Sequence, residues 1–354
     1  MPRAPRPAVT TDPPHPPLPE TPAILIVLMG SLGDIARALP LAAILKHHRP
    51  GARLSWLVDW RWQDLVAVHP GIDQVITFPR ERTPAAFSRL ASELRASRPD
   101  VTLDLQRILK SGFSSLVSGA PRRIGFHRAN TKEFNYLFNT EHIARRSPRL
   151  PKWRHYLAFA EHLELPVPDA LDFGLDHLAD PRLLPGPLRG TGAPFVAVVM
   201  GSSWPSKQWT EEGYKDLIRI VERETPCVVA LVGDRSRESF AERVVREAAG
   251  PRVVNLTGRT SLTELGATLA AARAAVGPDS GPGHLSAALG TPHVTLFGPT
   301  DPERVAPYRA EHLAVRSPVD CKPCWRRRCR RRAGRCMDAI TPAMVWRVLE
   351  PLLR

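Results

Sequence analysis

The chain has 354 residues, more than the roughly 250 to 300 at which one hydrophobic core stops growing, so we expect two domains. The composition is globular, and no apolar run reaches the ~18 residues needed to cross a bilayer. The formal charge is +14, and residues 321–337, CKPCWRRRCRRRAGRCM, hold one lysine and seven arginines with no acid. Such a cluster favours an anionic partner, namely a phosphorylated lipid surface, a nucleotide or a nucleic acid, although a solvated face is the alternative.

The N-terminal half begins with a proline-rich stretch and then alternates strands with helices. Residues 1–22 lack the continuous apolar segment of a signal peptide and are predicted to be disordered. Apolar runs predict strands at 24–29, 54–58, 74–78 and 101–105, with helices at 35–48, up to 68 and at 84–97. This alternation indicates a parallel sheet with right-handed crossovers.

The C-terminal half repeats this alternation after an interruption. Residues 145–194 are rich in prolines and charges around one short helix at 155–162, and further strands are predicted at 195–200, 227–232, 253–256, 271–276 and 293–297. We predict an α/β fold with two Rossmann-like, doubly wound parallel-sheet domains facing each other across a cleft. The predicted domains are residues 23–165 and 194–354, joined by a linker at 166–193.

The turn after the first strand, GSLGD at residues 30–34, carries a candidate catalytic acid. Its spacing differs from the G-x-G-x-x-G of dinucleotide sites, which argues against a nicotinamide enzyme, although Asp59 ends the second strand where a ribose-binding acid would lie. Asp34 is either a helix N-cap or a catalytic base. The helix N-terminus favours its ionised form, which predicts a low pKa and a weak base. A weak base fits glycosyl transfer, in which the attacking hydroxyl becomes acidic late.

The stretch GPDSGPGHLSAALGTPHVTLFGPTDP, residues 277–302, predicts a phosphate-binding site at the edge of the second sheet. A glycine-rich turn opens a helix predicted from His284, so unpaired backbone N–H groups and the positive end of the helix dipole face the strand tips. Asp279 is alternatively a turn residue, and His284 a residue of the first helical turn.

Other residues of the second half fall at the same predicted edge. Lys207, in the loop GSSWPSKQW, is placed to neutralise a departing diphosphate, with a solvated surface lysine as the alternative. Gly233 and Asp234 end the next strand, and Glu238 follows one turn into a helix, where acids could hold a ribose or an adenine. In the first half, Arg107, Lys110 and a basic loop at 122–132 are candidate acceptor-binding groups, unless they are simply solvated.

Four of the five cysteines lie in the arginine-rich loop, with the spacing C-x2-C-x4-C-x6-C. Cys321, Cys324, Cys329 and Cys336 could form a small metal or disulfide clamp, or remain free thiols. Zinc is the candidate metal. We assign the loop, residues 320–337, a structural role, because nothing in the sequence places it beside a base or a nucleophile.

Taken together, these motifs resemble the lipopolysaccharide heptosyltransferases, the ADP-heptose-using glycosyltransferases of family 9. The resemblance runs from residue 24 to the C-terminus and rests on ILIVLMGSLGD, PGIDQVI, DLQRILK, KEFNYLFN, KQW, residues 276–302 and the cysteine loop followed by MDAITP. It implies a GT-B fold with the donor nucleotide held by the C-terminal domain and the acceptor by the N-terminal one. It also implies inverting transfer that needs no catalytic cofactor.

Matching the motifs position by position gives expected roles. Asp34 becomes the expected base and Lys207 the expected partner of the diphosphate. Ser280 stands where threonine is common, and Pro282 removes one potential N–H donor from the loop. The expected donor-binding residues are Ser202, Ser203, Gly233, Glu238, Asp279, Ser280, Gly281, Gly283 and His284. The expected acceptor-binding residues are Ser31, Gly33, Arg107, Lys110 and Lys132.

The sequence thus predicts a cytoplasmic heptosyltransferase that acts on an anionic glycolipid, with the arginine loop contacting the inner leaflet of the inner membrane. One alternative is a glycosyltransferase that uses another nucleotide sugar. An alternative of a different class is a non-catalytic nucleic-acid-binding protein that works through the arginine loop. That loop has Trp325 as its one aromatic residue, so stacking on bases is poorly supported and no nucleic acid is expected.

Overall fold

The structure is a computed structural model that describes residues 18–248, 250–321, 323–331 and 335–354. Most of the proline-rich segment predicted to be disordered, residues 1–17, therefore lies outside the described residues. The same holds for four positions of the arginine-rich loop. Among the described residues, no helix is both long and apolar enough to span a bilayer.

Two parallel six-stranded sheets form the framework, as the alternating pattern predicts. The first contains β1 to β6, at Ala23–Val27, Arg53–Asp59, Gln74–Phe78, Val101–Asp104, Arg122–Gly125 and Glu141–His142. The second contains β7 to β12, at Phe195–Val199, Val228–Val232, Val253–Asn255, Ala274–Pro278, His293–Phe297 and Ala314–Arg316. We call the part of the chain around each sheet the N-lobe and the C-lobe.

Both sheets have the same strand order. It is β3-β2-β1-β4-β5-β6 in the N-lobe and β9-β8-β7-β10-β11-β12 in the C-lobe. In each sheet the order reverses beside the first strand, between β1 and β4 and between β7 and β10. Loops that leave such a switch point diverge and open a crevice at the carboxyl edge. The turn before Asp34 and the turn after β10 therefore both lie at crevice positions.

Helices cover both faces of the sheets. The N-lobe contains α1 to α5, at Leu32–His48, Gln63–Ala67, Pro84–Ala96, Leu109–Val117 and Lys152–His162. The connecting segment contains α6 at Gly186–Arg189. The C-lobe contains α7 to α12, at Glu211–Glu224, Glu238–Ala248, Leu262–Ala271, Gly281–Ala288, Pro302–Val305 and Pro342–Leu353. The predicted domain boundaries are compatible with this arrangement but remain predictions.

Helix α1 shows how local sequence fixes a site residue. Ser31 is its N-cap and accepts a hydrogen bond from the backbone N–H of Asp34, while the Asp34 carboxylate accepts one from the backbone N–H of Ser31. This reciprocal capping box satisfies two N–H groups that a helix start would leave unpaired. Asp34 is therefore the third residue of the helix and not its N-cap, and its part in the capping box leaves the second carboxylate oxygen available to other partners.

Two predicted features needed correction. Arg122 and Arg123 lie in strand β5, not in a loop, and their guanidinium groups bond within the N-lobe, to Glu141 and to the backbone carbonyls of Ala120 and Phe138. The helix after β10 begins at Gly281 and not at His284, so Pro282 falls in its first turn, where the missing N–H costs no helical hydrogen bond. Ser280 is its N-cap residue.

Candidate active site

The first turns of α1 and α10 touch, which joins the two lobes at the crevice. A Cβ placed on Gly33 would lie 2.7 Å from the Cδ2 atom of His284. Likewise, a Cβ placed on Gly281 would lie 2.7 Å from the Cβ atom of Leu32. Both glycines therefore serve a close approach between helices, and this approach brings the residues predicted for acceptor and donor binding together.

Asp34 lies at the centre of a polar cluster on the N-lobe side. Its Oδ1 atom is 3.1 Å from a guanidinium nitrogen of Arg37, 3.6 Å from Lys152 Nζ and 3.2 Å from the Tyr156 hydroxyl, which donates to it. The Oδ2 atom accepts a 2.9 Å hydrogen bond from the Ser31 hydroxyl. Lys152 and Tyr156 are one turn apart on α5, so one face of that helix supplies both.

The pKa of Asp34 lies well below its ordinary value. Burial alone raises it, but Lys152, Arg37 and the hydrogen bonds from Ser31 lower it by more. This agrees with the low pKa expected from the helix start, and two neighbouring cations now add to that cause. Burial and the nearby carboxylate raise the pKa of the Tyr156 hydroxyl, which stays protonated and donates. Asp34 is thus an ionised carboxylate with one oxygen close to two cations.

Lys207 and Asp279 form the corresponding pair in the C-lobe. The Lys207 ammonium lies 2.7 Å from Asp279 Oδ2 and 4.4 Å from the centre of the Trp204 ring. Asp279 also accepts a 2.8 Å hydrogen bond from Thr300. Burial raises the pKa of Asp279, but the charge of Lys207 and the hydrogen bond from its ammonium lower it, so the carboxylate is ionised. The alternative of a freely solvated Lys207 is excluded by its side chain, which is 12% exposed.

Arg37 and His284 connect the two pairs across the lobes. A guanidinium nitrogen of Arg37 lies 2.5 Å from His284 Nε2, and that same nitrogen of His284 lies 3.7 Å from Asp279 Oδ1. Burial and the Arg37 charge lower the pKa of His284 to about 4, so the ring is neutral at pH 7 and accepts from Arg37 through Nε2. A continuous chain of contacts therefore runs from Asp34 to Lys207.

The start of α10 offers groups that a phosphate could bind. The Ser280 hydroxyl is buried and has no hydrogen-bond partner in the part of the chain that the structure describes. It stands at the N-cap, beside N–H groups of the first turn that carry the positive end of the helix dipole. A cation, an unpartnered hydroxyl and a helix N-terminus after β10 are suited to hold a diphosphate.

Comparison with known proteins identifies the family. The family described as glycosyltransferase family 9 (heptosyltransferase) matches residues 87–333. The chain belongs to glycosyltransferase family 9. The family that the sequence motifs indicated is thereby confirmed, and the protein is a glycosyltransferase.

Individual relatives of this family 9 enzyme cover nearly its whole length. Lipopolysaccharide heptosyltransferase 1 of Pseudomonas aeruginosa is 28% identical over 93% of the chain and 98% of the relative. The protein of the same name from Escherichia coli K12 is 25% identical over 83% of the chain and 93% of the relative. Among solved structures, the E. coli heptosyltransferase WaaC with ADP superposes with a TM-score of 0.74 at 23% identity, over 93% of this chain and 99% of WaaC. The predicted GT-B fold is confirmed.

The remaining donor-binding candidates of the family 9 enzyme lie beside this network, to varying degrees. Ser202 donates to the backbone carbonyl of Asp279 at 3.2 Å, and Ser203 is exposed next to it. Arg237, next to Glu238 at the start of α8, bonds the backbone carbonyl of Ser202 and so ties α8 to this loop. Gly233 directly follows β8, and a Cβ placed on it would lie 3.2 Å from the Cγ2 atom of Thr257. Gly283 faces the buried ring of His293, so its lack of a side chain serves packing.

The acceptor-binding candidates of the enzyme divide into two groups. Ser31 bonds to the Asp34 carboxylate, and Gly33 directly precedes Asp34. Arg107 also lies near Asp34, because its charge acts on Lys152, whose ammonium is 3.6 Å from Asp34. Lys110 lies farther along the sheet edge, with its ammonium 4.0 Å from the centre of the Phe78 ring. Lys132 is exposed, and its backbone N–H donates to the carbonyl of Arg107. Neither lysine contacts Asp34 in the described part of the chain.

The four loop cysteines converge. Cys321, Cys324, Cys329 and Cys336 line one small cavity together with Ser206, Gly298 and Pro299. Burial, with the neighbouring thiols, raises the pKa of Cys336. No three His, Cys, Asp or Glu side chains among the described residues form a ready metal-binding group. The Ser206 hydroxyl donates to the carbonyl of Arg326, so the cysteine loop is bonded to the segment that carries Lys207.

Four residues of the network were missed by sequence reasoning: Arg37, Lys152, Tyr156 and Thr300. A local signal existed for Arg37. It follows Asp34 by one helical turn, and it is a charged residue within a run of apolar residues that form the buried part of α1. Lys152 and Tyr156 come from a helix that lies more than 115 residues away in sequence, within the stretch interpreted as the interruption between domains. Only the packing of α5 on α1 brings them to Asp34.

Proposed function

We propose that this enzyme transfers a heptose from ADP-heptose to a sugar of the lipopolysaccharide core with inversion at the anomeric carbon. The observation that carries the proposal is the contact chain in which an N-lobe carboxylate, Asp34, and a C-lobe cation, Lys207, converge beside the open start of α10. The relatives named lipopolysaccharide heptosyltransferase 1 support heptose as the sugar and the lipopolysaccharide core as the acceptor.

In the proposed reaction, an acceptor hydroxyl attacks the anomeric carbon from the side opposite the diphosphate. The new glycosidic bond forms as the bond to the phosphate oxygen breaks, and the hydroxyl proton passes to Asp34. ADP leaves with the bonding electron pair, and Lys207 and the first N–H groups of α10 stabilise its growing negative charge. These groups supply the positive charge in this proposal, so no metal takes part in the transfer.

The cations around Asp34 suggest how the acceptor is held. We assign Lys152 and Arg107 to a carboxylate or phosphate of the acceptor, because both lie near the base and carry positive charge in a half-buried setting. An anion bound there would draw Lys152 away from Asp34 and partly neutralise it. The pKa of Asp34 would then rise, so the carboxylate becomes a stronger base only once the acceptor is bound.

A panel of ADP-, UDP- and GDP-sugars, incubated with and without deacylated lipopolysaccharide core, tests the donor and the acceptor together. We expect nucleotide release with ADP-heptose, increased strongly by the core, and stereochemical inversion in the isolated product. Faster transfer from a UDP- or GDP-sugar would replace ADP-heptose by another donor. Salt-dependent RNA binding that survives Lys207→Gln, with no transfer to any acceptor, would favour the nucleic-acid-binding alternative.

We also propose that the enzyme works in the cytoplasm, in peripheral contact with the inner face of the inner membrane. Its acceptor class is a lipid-anchored anionic molecule, and its formal charge of +14 favours an anionic surface. The arginine-rich loop, residues 320–337, supplies a large part of this charge. Long-range attraction of this kind weakens as salt shortens the Debye length.

We propose further that the four loop cysteines hold a structural zinc ion. Their shared cavity supports this proposal, because structural zinc is held by four ligands and four cysteines line the cavity. Elemental analysis of the purified protein should give one zinc per chain, and Cys324→Ser should remove it and lower the melting temperature. A zinc-free protein with the same melting temperature before and after Cys324→Ser would refute the metal clamp.

A further inference from the structure

Helix α4 in the N-lobe has its apolar side in the solvent. Leu109, Phe113 and Leu116 recur at the spacing of one helical face, and their side chains are 51%, 58% and 45% exposed. The opposite face, which packs on the lobe, consists of small residues, listed here in order: Ser111, Gly112, Ser114 and Ser115. A surface helix normally buries its apolar face, so this reversed arrangement needs an external partner.

A neighbouring turn extends the same apolar surface. Phe134 is 70% exposed and Leu137 is 67% exposed, and the turn at Asn135–Phe138 packs against α4. Glu133 and Phe134 have φ values of 53° and 57°, in the left-handed region that non-glycine residues rarely adopt. The backbone is thus strained at two consecutive residues, and this conformation leaves the ring of Phe134 exposed to solvent. We call the five exposed side chains the α4 patch: Leu109, Phe113, Leu116, Phe134 and Leu137.

The lobe fixes the α4 patch firmly. The side-chain amide of buried Asn135 donates to the Asp104 carboxylate at 2.6 Å and to the backbone carbonyl of Ile108 at 2.8 Å. Gly112 has no side chain, and a Cβ there would lie 2.8 Å from the ring of Phe138. The backbone N–H of Leu109 donates to the Glu133 carboxylate. The apolar groups are therefore presented on a rigid base and do not belong to a loose loop.

The charge around the α4 patch indicates what it contacts. Residues 105–132 contain no Asp or Glu, and Lys110, Arg128 and Lys132 are exposed within this range. Burial lowers the pKa of the Lys110 ammonium, Arg82 and Arg61 lower it further, and the nearby Asp59 raises it. Glu133, beside Phe134, is exposed and bonds the backbone N–H of Leu109, so the surroundings of the patch are predominantly, not wholly, basic. Apolar side chains in a predominantly basic setting match an anionic bilayer, whose interface accepts aromatic and leucine side chains while its headgroups attract lysine and arginine.

We propose that the α4 patch inserts into the surface of an anionic phospholipid membrane and docks the N-lobe on it. The patch adjoins, through Arg107 and Lys132, the residues assigned to the acceptor. A membrane docked there would hold a lipid-anchored acceptor next to Asp34, and this part of the inference rests on the proposed function. The insertion itself depends only on the apolar side chains and their basic surroundings. It is also distinct from contact through the arginine-rich loop.

Vesicle flotation without any sugar donor or acceptor tests the insertion. We expect the full-length protein to float with vesicles of 30% phosphatidylglycerol in phosphatidylcholine, and more weakly at 0.5 M than at about 0.05 M salt. Phe113→Ser with Phe134→Ser should lower the partition coefficient about tenfold or more, because two aromatic anchors are lost. Both side chains are exposed, so transfer to a deacylated, water-soluble acceptor should remain within about twofold of the parent.

Two control variants separate the explanations. Phe113→Leu with Phe134→Leu keeps the apolar character and should retain most of the binding. Arg328→Ser with Arg330→Ser alters only the arginine-rich loop and should weaken binding less than Phe113→Ser with Phe134→Ser does. Equal binding of the parent and the phenylalanine-to-serine variant would overturn the proposal, as would an absence of binding to anionic vesicles. If the parent bound no vesicles but formed a concentration-dependent dimer, and Phe113→Ser with Phe134→Ser abolished that dimer, the patch would be assigned to a second copy of the chain.

Discussion

Asp34→Asn is expected to lower the rate of heptose transfer by about 10²- to 10⁴-fold, the range attributed to a positioned proton acceptor. The amide has nearly the shape of the carboxylate, and its oxygen can still accept the hydrogen bond from the backbone N–H of Ser31, the N-cap residue of α1. It cannot take the proton of the attacking hydroxyl. Single-turnover kinetics with saturating ADP-heptose and deacylated core would measure the effect, and calorimetry would show that ADP-heptose still binds.

Asp59→Asn is the matched control for this substitution. Asp59 is the last residue of β2, caps a short helix and pairs with an arginine, Arg61, and within the described part of the chain it makes no contact with Asp34 or its partners. Its replacement should change the transfer rate by no more than about twofold, since a half-exposed ion pair contributes little. Full transfer activity in Asp34→Asn would show that another group accepts the proton.

The low pKa of Asp34 has a consequence for the pH profile of the same reaction. A carboxyl whose pKa lies well below its ordinary value of 3.8 remains ionised between pH 8 and pH 5. The kcat/KM value, which reports the free enzyme, should therefore show no loss from this group as the pH falls from 8 to about 5. The electrostatics described above would be contradicted if the parent lost activity with an apparent pKa near 6 and the residual activity of Asp34→Asn showed no such loss.

Much of the fold could be predicted because most of the buried parallel strands correspond to short apolar runs in the sequence. The runs at 74–78 and 293–297 coincide with β3 and β11, and most other strand limits differ by one or two residues. Two of the elements that escaped prediction carry the opposite pattern. Strand β5 begins with two arginines, and α4 has serines on its buried side and leucine and phenylalanine outside. Periodicity reports burial, and it fails where burial and polarity are reversed.

The site could be predicted only where chain-local signals exist. Asp34, Lys207 and Asp279 each lie in or just after a loop that follows a strand at a crevice position. The glycines and polar residues of these loops can be recognised in the sequence. Lys152 and Tyr156 have no such signal, because their place beside Asp34 depends on how α5 packs on α1. The contact between Arg37 and His284 likewise joins residues 247 positions apart. Long-range packing of this kind is a property of the tertiary structure and leaves no mark in a local motif.

Lys207→Gln is expected to lower the transfer rate by about 10²- to 10³-fold, or roughly 2.7 to 4 kcal/mol of transition-state stabilisation, as for loss of one positioned group that stabilises developing charge. The ammonium is largely buried against Trp204 and Asp279, so water screens it weakly and its charge acts strongly on a nearby diphosphate. Because the ADP oxygen gains charge as the bond breaks, the loss should fall more on kcat than on donor affinity.

Lys215→Gln provides the comparison within the same lobe. Lys215 is another largely buried, ion-paired lysine, bonded to Glu212 and Glu247 on the outer side of the C-lobe. Its loss should leave kcat within about twofold of the parent, since among the described residues its side chain bonds only to Glu212 and Glu247. In Lys207→Gln the carboxylate of Asp279 loses its cation, so Lys207→Gln with Asp279→Asn is also needed. If the double variant regained the parental kcat, the effect of Lys207 would lie in neutralising Asp279 and not in stabilising the departing diphosphate.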